Sequence, residues 1–538
     1  MKHSFLTAAF LLGIIAASAQ KNFTRQDTLR GSVTPEREWW DLNYYDLHVK
    51  VDPENEFISG HNVVRYKVLK TSDVLQIDLQ EPMKISAVTQ DGKKLKFTSE
   101  GAAHFIKLKK KQVVGAYNSI DIEYSGNPRK AVRAPWDGGF SWKKDSEGNP
   151  FVATSCQGLG ASVWWPNKDH MYDEVDSMRI NVTVPKDLMD VSNGKLEGVD
   201  EDGDFKTYHW FVANPINNYG VNVNVGNYVH FGEKFEGEKG ILDVDYYVLP
   251  ENLEKAKEQF SQVPMMLRAF EHWFGPYPFY EDGFKLVEVP YLGMEHQSSV
   301  TYGNKYANGY LGRDLSASGW GLKFDFIIIH ESGYEWFANN ITYKDIADMW
   351  VHEGFTAYSE NLYLDYHFGP KASSEYVVGT KSNIQNDSPI IGPYDVNTSG
   401  SGDMYYKGAN MLHTLRQLIE DDDLWRNILR GLNADFYHQT VTTKQIEDYI
   451  SEKTGKDLYA FFNQYLRTTM IPKLEYKLEG DSITYRYVDI VEEFDMPIRI
   501  FVGSKEHWLF PNAEWKTEPL DGNKFVFDKN FYIETEQL

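Results

Sequence analysis

From Glu38 to about Phe231 the chain alternates apolar and polar residues with period two. YDLHVKVDP, HNVVRYKVL, VLQIDLQ, SIDIEYSG, MRINVTVP and VNVNVGNYVHF read as half-buried strands between turn residues. Asp91-Gly92 and Asp202-Gly203 are hairpin signals. An all-β domain over residues 20–233 follows, a saddle or sandwich. The charged run at 234–240, KFEGEKG, reads as a linker, followed by a strand over 241–249. Positions 253–274 have helical spacing, with Pro264 set to kink or divide the helix and Gly275-Pro276 to end it. Strands over 286–289 and 298–302 flank the segment Gly293-Met294-Glu295. An apolar run from Phe324 passes through His330-Glu331 and, after a polar connection, gives way to a second helix over 345–363. Further helical patterns cover 372–386, 407–420, 424–437, 443–454 and 458–466. The span 234–470 is therefore α+β. From Ile471 the period returns to two, which predicts a small C-terminal β sandwich over 471–538. The whole is a multidomain chain.

Composition narrows the class. The 538 residues are 42% hydrophobic and 15% aromatic, enough to fill several cores. A net charge of -23 argues against nucleic acid and against an anionic membrane surface as partners. The start, MKHSFLTAAFLLGIIAASAQ, has a basic Lys2, an apolar run too short to span a bilayer, and the small-x-small site Ala17-Ser18-Ala19. Residues 1–19 thus read as a bacterial-type signal peptide, with the mature chain exported to the periplasm or secreted. No other stretch reads as a membrane span. Cys156 is the only cysteine, so stability comes without an internal disulfide.

The chemistry gathers around His330. Positions i and i+4 of a helix share a face, so His330 and Tyr334 point the same way, with Glu331 about 100° round. A short zinc motif, H-E-x-x-H, has a second histidine where this chain has Tyr334. Glu353, on the second helix, is placed to reach the same point, which would leave one coordination position open for water. His352 points about 100° away and is not expected to ligate.

The stretch HESGYEWFANNITYKDIADMWVHEGFTAYSE resembles the core of the zinc aminopeptidases typified by aminopeptidase N and leukotriene hydrolase, the gluzincins of peptidase family M1. That pattern is HExxH, eighteen residues, then Glu. Leu292-Gly293-Met294-Glu295-His296 resembles the family's G-x-M-E-N signature, with Leu292 and His296 as departures at its two ends. Tyr405-Tyr406-Lys407-Gly408 resembles its Y-x-K-G segment. The likeness covers nearly the whole mature chain and implies a thermolysin-like catalytic domain holding one zinc ion. It implies His330, Tyr334 and Glu353 as the metal positions. It makes Glu331 the general base and Tyr405 the donor to the oxyanion, rather than Tyr406. Gln157, Gly293, Met294 and Glu295 become the substrate-binding set, Glu295 and Gln157 holding the free amine of a peptide. Family members often add a C-terminal helical superhelix over the cleft; nothing in this sequence forms one.

Tyr334 breaks the pattern. Zinc sites favour Cys, His and carboxylate, and a phenol ordinarily titrates near 10. Three explanations stand: a natural pseudo-enzyme, an active member with an altered site, or a single substitution in an otherwise active sequence. The resemblance implies an exported zinc aminopeptidase acting on peptides with a free N-terminus, impaired in this form by Tyr334. The alternative is a metal-free peptide-binding pseudo-peptidase. An epoxide-opening hydrolase, as in one family branch, has no residue here that argues for it.

Overall fold

The computed structural model of the chain describes residues 22–520, 522 and 524–538. The expected signal peptide, 1–19, lies outside them. Among the described residues no helix is long and apolar enough to cross a membrane.

The N-terminal region is β-rich. Strand β1 (Trp40–Asp52) lies inside an eight-stranded sheet, antiparallel to β2 (Phe57–Val68) and parallel to the strand Ser177–Pro185. Tyr45, Leu47, Val49 and Val51 of β1 are buried while Asp46, His48 and Lys50 between them are not, as the alternation requires. Gln90 pairs with Lys93 across a two-residue turn, and Asp91 and Gly92 both have positive φ, 50° and 70°. That is the geometry the Asp-Gly pair favours. Strand β3 (Pro150–Ser155) belongs to a second sheet of four strands, and its end delivers Cys156-Gln157 to the cleft. These sheets share one apolar core that includes Trp40, Leu47, Phe151 and Trp164.

The stretch read as a linker is structured. β4 (Val229–Gly237) and β5 (Gly240–Val248) pair along their whole length as a hairpin. Its charges sit on the solvent face, while Phe235, Leu242 and Val244 are buried on the other. The charge run that imitates a coil is one side of an amphipathic hairpin. The sheet continues through β6 (Phe284–Glu288), β7 (Gly293–Met294) and β8 (Val300–Tyr302), in the order β4-β5-β6-β8-β7. β7 is therefore an edge strand, paired on one side only, antiparallel to β8.

The expected helix at 253–274 is two helices, α1 (Leu253–Gln259) and α2 (Gln262–Phe274). Pro264 lies in the first turn of α2, where its missing N–H breaks no helical bond. Gly275, at φ 94°, ends α2. α3 (Phe326–Gly333) is capped by Asp325, whose carboxylate accepts from the Ile327 and Ile328 N–H groups. The second helix of the central stretch, α4 (Trp350–Phe368), starts later than the pattern predicts. Asp345 instead caps the short 3-10 turn Ile346–Asp348, which takes up the beginning of the apolar repeat.

α3 and α4 approach closely because Gly333 has no side chain; a Cβ there would lie 2.5 Å from the Ser359 hydroxyl. α4 meets α5 (Tyr406–Ile419) still more tightly: a Cβ on Gly408 would lie 3.0 Å from the Gly354 Cα. The C-terminal strands form sheets of four and three, including Lys473–Glu479, Ser482–Val488, Ile498–Val502 and Lys505–Leu509. Their apolar faces are continuous with the helical region, in one core that includes Phe235, Trp336, Phe355, Leu412, Leu474, Ile498 and Phe531.

The contact between Gly354 and Gly408 is backbone against backbone, so it has no side chain that can move aside. Gly408→Ala should destabilise the chain by about 1–3 kcal/mol through overpacking. Urea denaturation checks this, and an unchanged midpoint and slope would show that the two helices have slack.

Candidate active site

A cavity of about 380 Å³ opens between the N-terminal β-rich region and the helical region. Gln157, Gly293, Met294, Glu295, His330, Glu331, Tyr334 and Tyr405 all line it. Glu353 stands just behind the wall, fully buried, and joins the set through hydrogen bonds. The positions singled out in the sequence are thus brought together. Local structure explains why. α3 carries His330 and Glu331 in its last turn and ends at Tyr334. The close α3–α4 approach at Gly333 swings the first turn of α4, with Glu353, onto the same point.

The centre is a chain of hydrogen bonds through Tyr334. His330 Nδ1 lies 2.6 Å from a Glu360 carboxylate oxygen, and its Nε2 lies 3.1 Å from the Tyr334 hydroxyl. The Tyr334 hydroxyl in turn donates to Glu353. A phenol has one proton to donate, and here Glu353 accepts that hydrogen bond. His330 Nε2 must then itself be a donor, and since Nδ1 faces a carboxylate, the ring that satisfies both contacts is the doubly protonated one. The titration behaviour agrees. Burial opposes the charged ring, but the bond to Glu360 and the surrounding carboxylates outweigh it, and the pKa rises from 6.5 to about 9. Burial and the Glu353 charge push the Tyr334 phenol well above its ordinary value, so it is neutral.

This arrangement does not fit a metal ion. The phenol oxygen stands at the place towards which the imidazole and the Glu353 carboxylate both point, and it is already bonded to each. With Tyr334 a neutral phenol, the donors that zinc favours fall to one imidazole and one carboxylate. Among the described residues no group of three or more His, Cys, Asp or Glu side chains is disposed to hold a metal. Tyr334, expected at a metal position, forms a hydrogen-bonding bridge between His330 and Glu353 here.

The remaining residues surround this bridge. Glu331 is buried at the cavity wall; burial raises its carboxyl to about 7, with His330 pulling it down and Glu353 pushing it up. Gly293 lets it pass: a Cβ there would lie 3.1 Å from a Glu331 oxygen and 2.7 Å from Ile327. Met294 packs with Ala153, Val289 and Tyr291 beneath the strand edge. Gln157, expected beside Glu295, donates instead to Glu353 at 2.9 Å. The Tyr405 ring lies 6.2 Å from that of His330, and Tyr405 and Tyr406 both line the cavity. His352 is outside the cluster; its Nε2 accepts from the Tyr343 N–H at 3.0 Å.

Glu295 is 2% exposed, and one of its carboxylate oxygens has no hydrogen-bond partner. Burial first, then the charges of Glu331 and Glu353, raise its pKa well above the carboxylate range. The buried Tyr219 hydroxyl, which has no other partner among the described residues, faces Glu295, and a carboxyl held neutral by burial stands where an arriving cation would ionise it.

Two contributors escaped the sequence reading. Glu360 orients His330, and it lies seven residues after Glu353, two turns along the same face of α4. That spacing was the available signal. Tyr219, whose side chain faces Glu295 from the β-rich region, had no local signal at all.

Comparison with known proteins places these features in context. Residues 42–219 match the Peptidase M1 N-terminal domain and residues 259–465 the Peptidase family M1 domain. The chain is 20% identical over 462 residues to probable aminopeptidase 2 of Sulfurisphaera tokodaii, covering 82% of this chain and 55% of that protein. It is 22% identical over 470 residues to leukotriene A-4 hydrolase of Xenopus laevis, covering 82% and 71%. The chain spans about half the length of the first three curated relatives it matches. An M1 zinc metallopeptidase mutant from Deinococcus radiodurans, solved with a Tyr-Ser-Ala substrate, superposes with a TM-score of 0.68 at 19% identity, covering 82% of this chain and 98% of that one.

The raised His330 pKa has a testable cause. Relative to an unfolded value of 6.5, it contributes stability that is present below about pH 6.5 and is lost as pH rises through about 9. Glu360→Gln should bring the His330 titration down by more than one unit, followed by NMR of the ring protons. An unshifted titration would mean that Glu360 does not hold the imidazolium.

Proposed function

Because the chain belongs to peptidase family M1, we propose that it takes up peptides by their free amino end, in a site where Tyr334 suppresses the zinc-dependent hydrolysis of its relatives. The observation that carries this reading is the buried Glu295 carboxyl at the cavity wall, which among the described residues only the Tyr219 hydroxyl faces as a side-chain donor. A peptide ammonium is a cation that would pair with it there. A buried carboxylate–ammonium contact fixes which end of a peptide enters, and it ionises Glu295 as it forms. The edge strand β7 beside it offers backbone groups to an extended chain. The structural relative that holds Tyr-Ser-Ala supports a peptide as the ligand class. Residues 1–19, read as a signal peptide, put this activity outside the cytoplasm.

No hydrolytic step through a metal follows from the side chains as they stand. The machinery around the missing ligand is nevertheless kept. Glu331 lines the cavity with a pKa of about 7, suited to a general base, and Tyr405 faces the same point. Glu360 still fixes the His330 ring. That retention favours a second reading, a latent zinc aminopeptidase blocked at one position.

Two measurements separate these readings. Isothermal calorimetry with a free tetrapeptide and its N-acetyl form tests the amine site; the free form should bind at least about 10-fold tighter, as expected for a charged hydrogen bond, and Glu295→Gln should remove the difference. Equal binding of the two forms would refute recognition of the amine. Tyr334→His, assayed by metal analysis and aminoacyl-anilide hydrolysis, should gain one zinc per chain and turnover if the enzyme is latent. No gain in either leaves the binding protein.

A further inference from the structure

A second cavity of about 540 Å³ adjoins the first and shares Trp136 and Leu292 with it. It lies on one particular side of Glu295. Beyond Glu295 the chain continues into His296, Gln297 and Ser298, all fully buried, so nothing extended can run that way. In the other direction lie Leu292, Tyr291 and Pro290, and these line the second cavity. A peptide whose amino end sits at Glu295 therefore leaves along β7 towards this space. At about 3.3 Å per residue, its third or fourth residue arrives there.

The chemistry of that space differs from the rest of the molecule. The chain carries a net charge of -23, yet this cavity presents two exposed lysines, Lys255 from α1 and Lys305 from the loop after β8. Lys305 makes no hydrogen bond or ion pair with any described residue. The Lys255 ammonium has only the Asn252 side-chain oxygen, at 3.5 Å. One carboxylate, Glu288, also lines the cavity, but it is 8% exposed and already bonded by the Leu249 N–H at 2.8 Å and the Asn252 amide at 2.7 Å. The Lys305 loop is fixed: Lys305 and Tyr306 both hold φ 57°, and the Tyr306 N–H donates to the Tyr302 hydroxyl at 2.9 Å. Trp136, 69% exposed, stands between the two cavities on a loop whose Val132 and Arg133 N–H groups are held by Asp137 at 2.7 and 2.8 Å. Two unneutralised cations thus lie where the peptide path leads, behind a preset aromatic wall.

We propose that the second cavity is a carboxylate subsite for the downstream part of a bound peptide, with Lys255 and Lys305 as its cations. This rests on the amino-end reading above. The carboxylate comes from the terminus of a short peptide or from an acidic side chain at the third or fourth position, and both present the same group to the lysines.

Calorimetry at low ionic strength with tetra-alanine, its C-terminal amide, an amide with glutamate in fourth place, and N-acetyl tetra-alanine tests it. The free acid should bind about 5-fold tighter than the amide, the scale expected of exposed ion pairs. The Lys255→Ala/Lys305→Ala double variant should abolish that difference and leave the amide's affinity unchanged; both lysines are exposed, so the fold should tolerate their loss. A gain for the glutamate amide assigns the subsite to side chains as well, and no gain assigns it to termini. Acid, amide and glutamate amide binding alike would overturn the proposal while leaving the amino-end reading intact. N-acetyl tetra-alanine binding as well as the free amine would overturn that reading instead. No binding of any peptide would overturn both.

Discussion

The site depends on one phenol proton. Tyr334 keeps it and points it at Glu353 in a hydrogen bond, and the ring that satisfies both remaining contacts is a His330 with two protons, one for the phenol oxygen and one for Glu360. The imidazolium then becomes the positive centre among four buried carboxyl groups: Glu295, Glu331, Glu353 and Glu360. A dication at the same place would neutralise more charge and would need the imidazole unprotonated. The two arrangements exclude each other, because both need the Nε2 lone pair or its proton at the same point. With tyrosine at 334, the buried carboxylates are thus compensated by the imidazolium within this architecture.

That architecture is shared with relatives that carry out hydrolysis, and it does not by itself decide what this chain does. What the fold supplies is position. The closeness of α3 and α4 at Gly333 sets Glu353 opposite His330, and the closeness of α4 and α5 at Gly354 and Gly408 sets Tyr405 beside both. The sheet supplies an unpaired strand edge next to Glu295. These features are what the proposed amine capture requires, whether or not a peptide bond is then broken.

Much of this could be read along the chain, because most of it is local. Alternation located the strands, the Asp-Gly turn at 91–92 is a two-residue hairpin, and the helices at 443–454 and 253–274 follow their apolar spacing. Reading failed where a local pattern has two physical sources. A charged run marks either a coil or the wet face of a hairpin, and at 234–240 it is the hairpin. Asp345 can open an α-helix or cap a 3-10 turn, and it caps the turn. The orientation of Gln157 towards Glu353, and the proton traffic through Tyr334, join residues far apart in sequence and could not be read from spacing. Glu360 could have been found, since its distance from Glu353 is a helical repeat; it looked like one more carboxylate on a helix.

The continuous core that links the strands after Lys473 to the helical region bears on how the molecule comes apart. Those strands are not an appendage that can be trimmed: removing them would bare the apolar flank of the helices that position Tyr405 and Glu353. Heat should therefore melt the C-terminal sandwich and the catalytic region as a single cooperative unit. The N-terminal sheets do not stand wholly apart either, since their core takes in Leu249 and Val287 beside the central sheet.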